Sequence, residues 1–399
     1  MPGTSELEVA HILRLYGESY RETHRLSRSQ LRTMRAIEIC RTAALGGHID
    51  ECDQCGARTI SYHSCRNRHC PKCQGLEARR WLEQRCGELL PVPYFHIVFT
   101  IPEELNPLAL ANPKWFYDLL FNSATKTLLE IAADSKHLEA KIGMLSVLHT
   151  WSQTLLLHPH LHCIVPGGGL SLDRQKWIAS REDFFLPIQV LARLFRGKLL
   201  AAVKEAWKAG RLLVPEALRD PFVFLNLLDR LYSKSWVVYS KPPFGSPEQV
   251  LAYLARYTHR VAISNPRLVR LKDGQVTFTY KDYTQGGRRR EMSLAAEEFI
   301  RRFLLHVLPA GFVRIRYYGL LANRHRTVNL AQCRELLGAE TTAESATTVS
   351  AESEAWQARL ARLTGKDPTL CPHCGRGHLR RVEDLEPALR SSAAERSPP

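Results

Sequence analysis

The residues from His149 to Cys163, HTWSQTLLLHPHLHC, carry the densest chemical signal in the chain. His160 and His162 flank Leu161, and side chains of an extended strand alternate between its faces, so both imidazoles project the same way and can grip one ion. The neighbours are strand-like: Leu155, Leu156 and Leu157 before, Cys163, Ile164 and Val165 after. His149 lies eleven residues before His160, a separation that fits a hairpin returning it beside the pair. His158 competes as third ligand by strand parity, although Pro159 can twist it away. Three imidazoles with coordination positions left open describe a catalytic metal site better than a closed structural one. The alternative is a set of ordinary core and surface histidines.

A second pattern is PEQVLAYLARYTHR, residues 247–260. Tyr253 and Tyr257 are four apart and share one face of a helix, with Arg256 and Arg260 beside them. Packed into a core, the pair would do no chemistry. Near a histidine metal site in a basic protein, a tyrosine phenolate can attack a phosphodiester and hold DNA as a covalent ester. The metal would polarise the phosphate, and the arginines would stabilise charge and lower the phenol pKa.

The cysteines make a third pattern. Cys52-x-x-Cys55 and Cys70-x-x-Cys73 are separated by fourteen residues, and paired knuckles of this kind present four thiolates to one tetrahedral zinc ion. Cys65, His69, Cys40 and His48 lie close by and could complete a second zinc site, or include simple buried thiols. The deaminase signature is excluded, because no His-x-Glu precedes Cys70-Pro71-Lys72-Cys73. A further Cys371-Pro372-His373-Cys374 turn near the C-terminus is half a ribbon. Its partners could be Cys333, His373 or His378, or it could be metal-free.

These groups must be positioned by a chain of 399 residues, long enough for two or three domains. With eleven cysteines but no signal-like N-terminus, metal ligation explains the pairs better than disulfides. No apolar run approaches a membrane span, so the chain reads as soluble and cytoplasmic, nucleoid-associated if it acts on DNA. The net charge is +15. Residues 286–326 hold nine Arg against three Glu, interleaved with Phe299, Phe303, Phe312, Tyr317 and Tyr318, a mixture suited to nucleic acid. Within it, Arg288, Arg289 and Arg290 are the candidate DNA contacts.

Apolar spacing at Val9, Ile12, Leu13, Tyr16 and Tyr20 predicts a helix reaching to about residue 46, followed by a loop-like cysteine segment at 48–75 and a short helix at 76–90. Strands are expected at 94–100, through the histidine segment, and at 236–239, 267–271, 275–281 and 312–317. Helices are expected at 114–133, 188–209, 217–232, 247–258 and 294–307, giving an α+β domain. Residues 339–355 read as a flexible linker, and the polar tail after the CPHC turn as disordered.

The chain resembles the insertion-sequence-91 class of rolling-circle transposases, which belong to the histidine-hydrophobe-histidine (HUH) endonucleases. The resemblance runs from about Cys40 to Asn329 and is carried by CRTAALGGH, SCRNRHCPKCQ, HPHLHCIVPGGG, YLARYTHR, FTYKDY and RYYGLLANRHR. It implies a helical, cysteine-rich zinc-binding domain (residues 1–91) that recognises DNA. A nuclease domain (92–338) with a central antiparallel sheet flanked by helices would follow, then a linker and tail (339–399). It also implies two-tyrosine cleavage of single-stranded DNA by Tyr253 and Tyr257, with a 5′-phosphotyrosine intermediate and a free 3′-hydroxyl. His160 and His162 match the metal pair, with Mg²⁺ or Mn²⁺ as the catalytic ion and Zn²⁺ as the structural one. His149 as third ligand rests on the hairpin spacing and on a similar His-x10-His-x-His arrangement in relaxases. The alternatives are a replication initiator or relaxase of the same nuclease fold, and a non-catalytic zinc-dependent DNA-binding protein.

Overall fold

The computed structural model describes residues 7–74, 81, 88–181, 185–241, 261–338, 367 and 369–388. The protein is α+β, and its sheets are antiparallel. It divides into two compact units: Met1–Arg80 with Ile263–Leu304 and Thr342–Pro399, and Trp81–Ala262 with Leu305–Thr341. The expected division at residues 91 and 338 follows the chain, whereas these units are discontinuous.

In the first unit, two helices replace the single one expected: α1 (Val9–Thr23) and α2 (Arg28–Glu38). The break has a local cause. Ser27 accepts the Gln30 N–H with its side chain while the Gln30 side chain accepts the Ser27 N–H, a capping box that starts a new helix. Val9, Ile12, Leu13 and Tyr20 of α1 are buried together with Met34 and Ile37 of α2. The cysteine segment is not all loop, because it contains β1 (Gly47–Cys52) and β2 (Arg58–Tyr62). On the free side of β1 lies β14 (Leu379–Leu385), so the tail expected to be disordered supplies a strand. A meander of β10 (Leu268–Lys272), β11 (Gln275–Asp282) and β12 (Arg288–Ala295) leads into α7 (Ala296–Leu304), with Phe278 packed edge-on against Phe299.

The second unit is built on a five-stranded sheet. Its order is β13 (Ile315–Gly319), β5 (Gly143–Trp151), β6 (Leu157–Pro166), β3 (Tyr94–Thr100) and β9 (Val238–Lys241). Along β3, Phe95, Ile97 and Phe99 enter the main core, as do Leu161, Cys163 and Val165 of β6. They meet side chains of α3 (Asn106–Ala111), α4 (Pro113–Ala133), α5 (Ile188–Lys208) and α6 (Pro221–Ser233), among them Phe116, Leu120, Phe195 and Phe224. Alternation therefore turns His160 and His162 to the opposite face, where Tyr94, Leu145, Val147 and Ile164 form a smaller cluster. A side sheet is made of β4 (Ala140–Lys141), β7 (Gly168–Ser171) and β8 (Trp177–Ala179), with β7 in the middle. Helix α8 (Arg326–Leu336) was not expected from the sequence. Among the described residues no helix is long and apolar enough to cross a membrane.

Candidate active site and metal centres

Strands β5 and β6 form a hairpin in which His149 stands directly opposite His160, and Val147 opposite His162. Opposed residues of an antiparallel pair share a face, so all three imidazoles converge. Ring centroids lie 4.5 Å apart for His149 and His162, 4.8 Å for His160 and His162, and 5.5 Å for His149 and His160. A ligand nitrogen from each lies within 4.8 Å of the other two. Among the described residues the group holds His149, at the eleven-residue spacing, and not His158.

Two supporting contacts fix the rings. His160 Nδ1–H donates to the His158 carbonyl at 2.6 Å, and His162 Nδ1 is 2.8 Å from Nε2 of His96. With Nδ1 engaged in each, Nε2 is the nitrogen with which His160 and His162 could ligate a cation. The sequence reading missed His96, which is 2% exposed on β3. The missed signal is parity: His96, Val98 and Thr100 alternate with the core residues of YFHIVFT and share the histidine face.

The tip of the hairpin is held by His306, also not anticipated. Its Nε2–H donates to the Leu155 carbonyl at 3.0 Å, and its Nδ1 accepts from the Thr150 hydroxyl at 3.2 Å. Burial pushes the His306 imidazole down to about 4, so it is neutral at physiological pH. Trp151 stacks on His149 with centroids 4.5 Å apart and meets His306 edge-on.

Among the described residues eight cysteines form two clusters, not the expected quartet of Cys52, Cys55, Cys70 and Cys73. Cys40, Cys65, Cys70 and Cys73 make one, with 3.7 Å between the sulfurs of Cys40 and Cys73, Cys65 and Cys73, and Cys40 and Cys70. Cys52 and Cys55 gather with Cys371 and Cys374 in the other. The cause is topological. The β1–β2 hairpin carries the Cys52 knuckle, and β14 pairing on β1 brings the CPHC turn to it. Cys40 follows α2, where Arg41 N–H bonds the His63 carbonyl at 3.1 Å and draws the later cysteines back to it. Two expected additions, Cys65 and Cys40, thus join Cys70 and Cys73. Among the described residues neither His48 nor His69 enters a cluster, and His48 instead lies 3.3 Å from Asp50. Cys333, His373 and His378 do not complete the CPHC turn; Cys333 is buried on α8 and pushed up to about 11 by desolvation.

Four thiols this close do not ionise together without a cation. Hydrogen bonding with Cys40 holds Cys65 and Cys70 far above the ordinary thiol range and Cys73 far below it. Sulfurs about 2.3 Å from a tetrahedral zinc ion lie about 3.8 Å apart, which matches the separations in the first cluster.

Arg288, Arg289 and Arg290 are exposed on β12, and Arg290 lies 3.5 Å from Asp282. Three of the aromatics expected to interleave with them are not available as base contacts. Phe299, Phe303 and Phe312 are core residues, and Arg316 stacks on Phe121 and Phe312. Tyr253, Tyr257, Arg256 and Arg260 lie outside the described residues.

Residues 143–328 match the family model described as a putative transposase, and residues 12–101 match the transposase zinc-binding domain. The chain is 53% identical over 380 residues to the putative transposase y4qJ of Sinorhizobium fredii, covering 94% of this chain and 95% of that protein. It is 26% identical over 313 residues to the transposase for insertion sequence element IS801 of Pseudomonas savastanoi pv. phaseolicola, covering 74% of this chain and 71% of that one. No solved structure matches. The zinc-binding match covers the first cysteine cluster with Cys52 and Cys55, the transposase match covers the histidine hairpin, and together with 53% identity to a relative over 94% of the chain they make this chain a member of the insertion-sequence-91 family of transposases.

Proposed function

We propose that the protein nicks single-stranded DNA at the ends of a mobile element by tyrosine transesterification, in a rolling-circle mode of transposition. The observation that carries this reading is the convergence of His149, His160 and His162 on the sheet face opposite the main core, in a transposase.

The three imidazoles would hold a divalent ion, with His96 and the His158 carbonyl orienting two of them. When bound, the ion supplies Lewis-acid polarisation of the scissile phosphate. An all-nitrogen donor set favours Mn²⁺ over Mg²⁺, which prefers oxygen ligands. The phenolic oxygen of Tyr253 or Tyr257 forms a bond to phosphorus as the bond to the 3′-oxygen breaks. The phenolic proton passes to solvent, and the departing oxygen takes up a proton to become a free 3′-hydroxyl. The 5′-phosphate stays on the tyrosine, and the second tyrosine carries out a second transesterification while the first is occupied. Arg256 and Arg260 stabilise the phosphate charge. Cys40, Cys65, Cys70 and Cys73 hold a structural Zn²⁺ that stiffens the DNA-recognition module, and Arg288, Arg289 and Arg290 contact the phosphate backbone.

The test is His160→Ala on labelled single-stranded element-end DNA. Nicking should fall by about 100-fold or more while DNA binding is retained. Unchanged nicking would remove the histidines from the chemistry.

A further inference from the structure

Beyond the transposase activity, we infer that Cys52, Cys55, Cys371 and Cys374 form a second, separate zinc site, a ribbon whose two halves come from opposite ends of the chain. Its sulfurs pair across the ribbon, with Cys52 3.7 Å from Cys374 and Cys55 3.7 Å from Cys371. That is the edge length of a tetrahedral zinc–thiolate centre, about 3.8 Å, and far beyond the roughly 2 Å of a disulfide.

The backbone is built for the same task twice. Both turns read Cys-x-x-Cys-Gly, and in both the glycine N–H closes on the first cysteine carbonyl: Gly56 on Cys52 at 3.1 Å, Gly375 on Cys371 at 2.9 Å. Gly56 and Gly375 have φ of +67° and +64°, the left-handed conformation that glycine adopts without strain. The Gly377 N–H donates to the Cys374 sulfur at 3.3 Å, a bond that stabilises a thiolate. A Cβ on Gly377 would lie 2.4 Å from the Cys52 sulfur, so the close approach of the halves needs glycine there.

The halves also recognise each other without metal. Asp53 accepts the His378 N–H on Oδ1 at 2.8 Å and returns its own N–H to the His378 carbonyl at 3.0 Å. Strand β14 then runs along β1 from Cys52 paired with Leu379 to Gly47 paired with Leu385. The cysteines of the two halves are 316 and 322 residues apart, so the ribbon closes a loop of chain that contains the whole histidine-bearing unit. Four thiolates without oxygen ligands select zinc among the common divalent ions. Cys55 is exposed and Cys374 half-buried, whereas three of the four cysteines in the first cluster are buried, so the ribbon gives up its ion first.

The experiment is release of thiolate-bound zinc by a mercurial reagent from the full-length protein, read with a metallochromic dye. One zinc per cysteine cluster gives two per chain, and Cys371→Ser/Cys374→Ser should release only one. Gly377→Ala, which keeps all four cysteines but crowds the Cys52 sulfur, should speed loss of that one zinc to a chelator. The same zinc release from Cys371→Ser/Cys374→Ser as from wild type, or iron in place of zinc, would overturn the assignment. Should the double variant fail to fold, differential alkylation of the wild-type chain decides. Cys52, Cys55, Cys371 and Cys374 should gain label together on chelation, and equal labelling of Cys371 and Cys374 before and after would refute the site.

Discussion

At the scale of residues, each of the three converging histidines is held by a neighbour outside the trio. His96 holds His162, the His158 carbonyl holds His160, and Trp151 lies flat on His149. His96→Ala is expected to weaken Mn²⁺ binding by about 10–100-fold, measured by spin-resonance titration. An unchanged affinity would show that the His96 contact is packing alone. Leu161 is the other half of the motif. It is fully buried in the main core between two histidines that face away from it, so its packing sets the strand orientation that points both rings outward. Leu161→Ala should cost about 2–5 kcal/mol of stability in a urea unfolding series. The His-Leu-His spacing and the eleven-residue return made this trio legible in the sequence, since both follow from strand geometry. His306 was not legible, because a single histidine in a helix-flanking segment has no spacing partner to mark it, and His96 was marked only by its parity in β3.

Elements show the same divide between local and distant causes. Strands β3, β10 and β11 and helices α4 and α5 fall close to where the sequence pattern predicts them, because each is specified by its own run of residues. The α1–α2 break, set by the Ser27 capping box, went unread beneath a continuous helical pattern. The pairing of cysteines could not be read from spacing, since it depends on β14 returning to β1 across more than 300 residues. The hairpin tip has a pH signature of its own. His306 is held at about 4 against 6.5 for an ordinary histidine. Above pH 6.5 both folded and unfolded chains carry a neutral ring, and the group has no effect. As pH falls from 6.5 towards 4, the unfolded chain takes up a proton that the folded one refuses, so stability declines. The full shift corresponds to about 3 kcal/mol. His306→Gln should flatten the fall in urea midpoint between pH 6.5 and 4, and an equally steep fall in the variant would contradict this assignment.

For the whole molecule, the charge is better resolved than composition suggested. The arginine-rich segment 286–326 is divided between the two units: Arg288, Arg289 and Arg290 are exposed on β12, while Arg314 is buried and Arg316 stacked. Replacing Arg288, Arg289 and Arg290 together by Ala should lower the slope of log affinity against log salt for single-stranded DNA by about 2, since each phosphate contact contributes about 0.7. An unchanged slope would move the DNA track elsewhere. The sequence matches place the chain in the transposase family, and the proposed chemistry turns on two tyrosines. The most direct measurement is a denaturing-gel search for a covalent protein–DNA adduct, using single-stranded oligonucleotides from both flanks of the protein's own gene, with Mn²⁺ or with EDTA. A metal-dependent adduct that maps to Tyr253 or Tyr257 and disappears in Tyr253→Phe/Tyr257→Phe is the expected result. An adduct that persists in the double variant, or strand cleavage without any adduct, would contradict tyrosine transesterification at these residues.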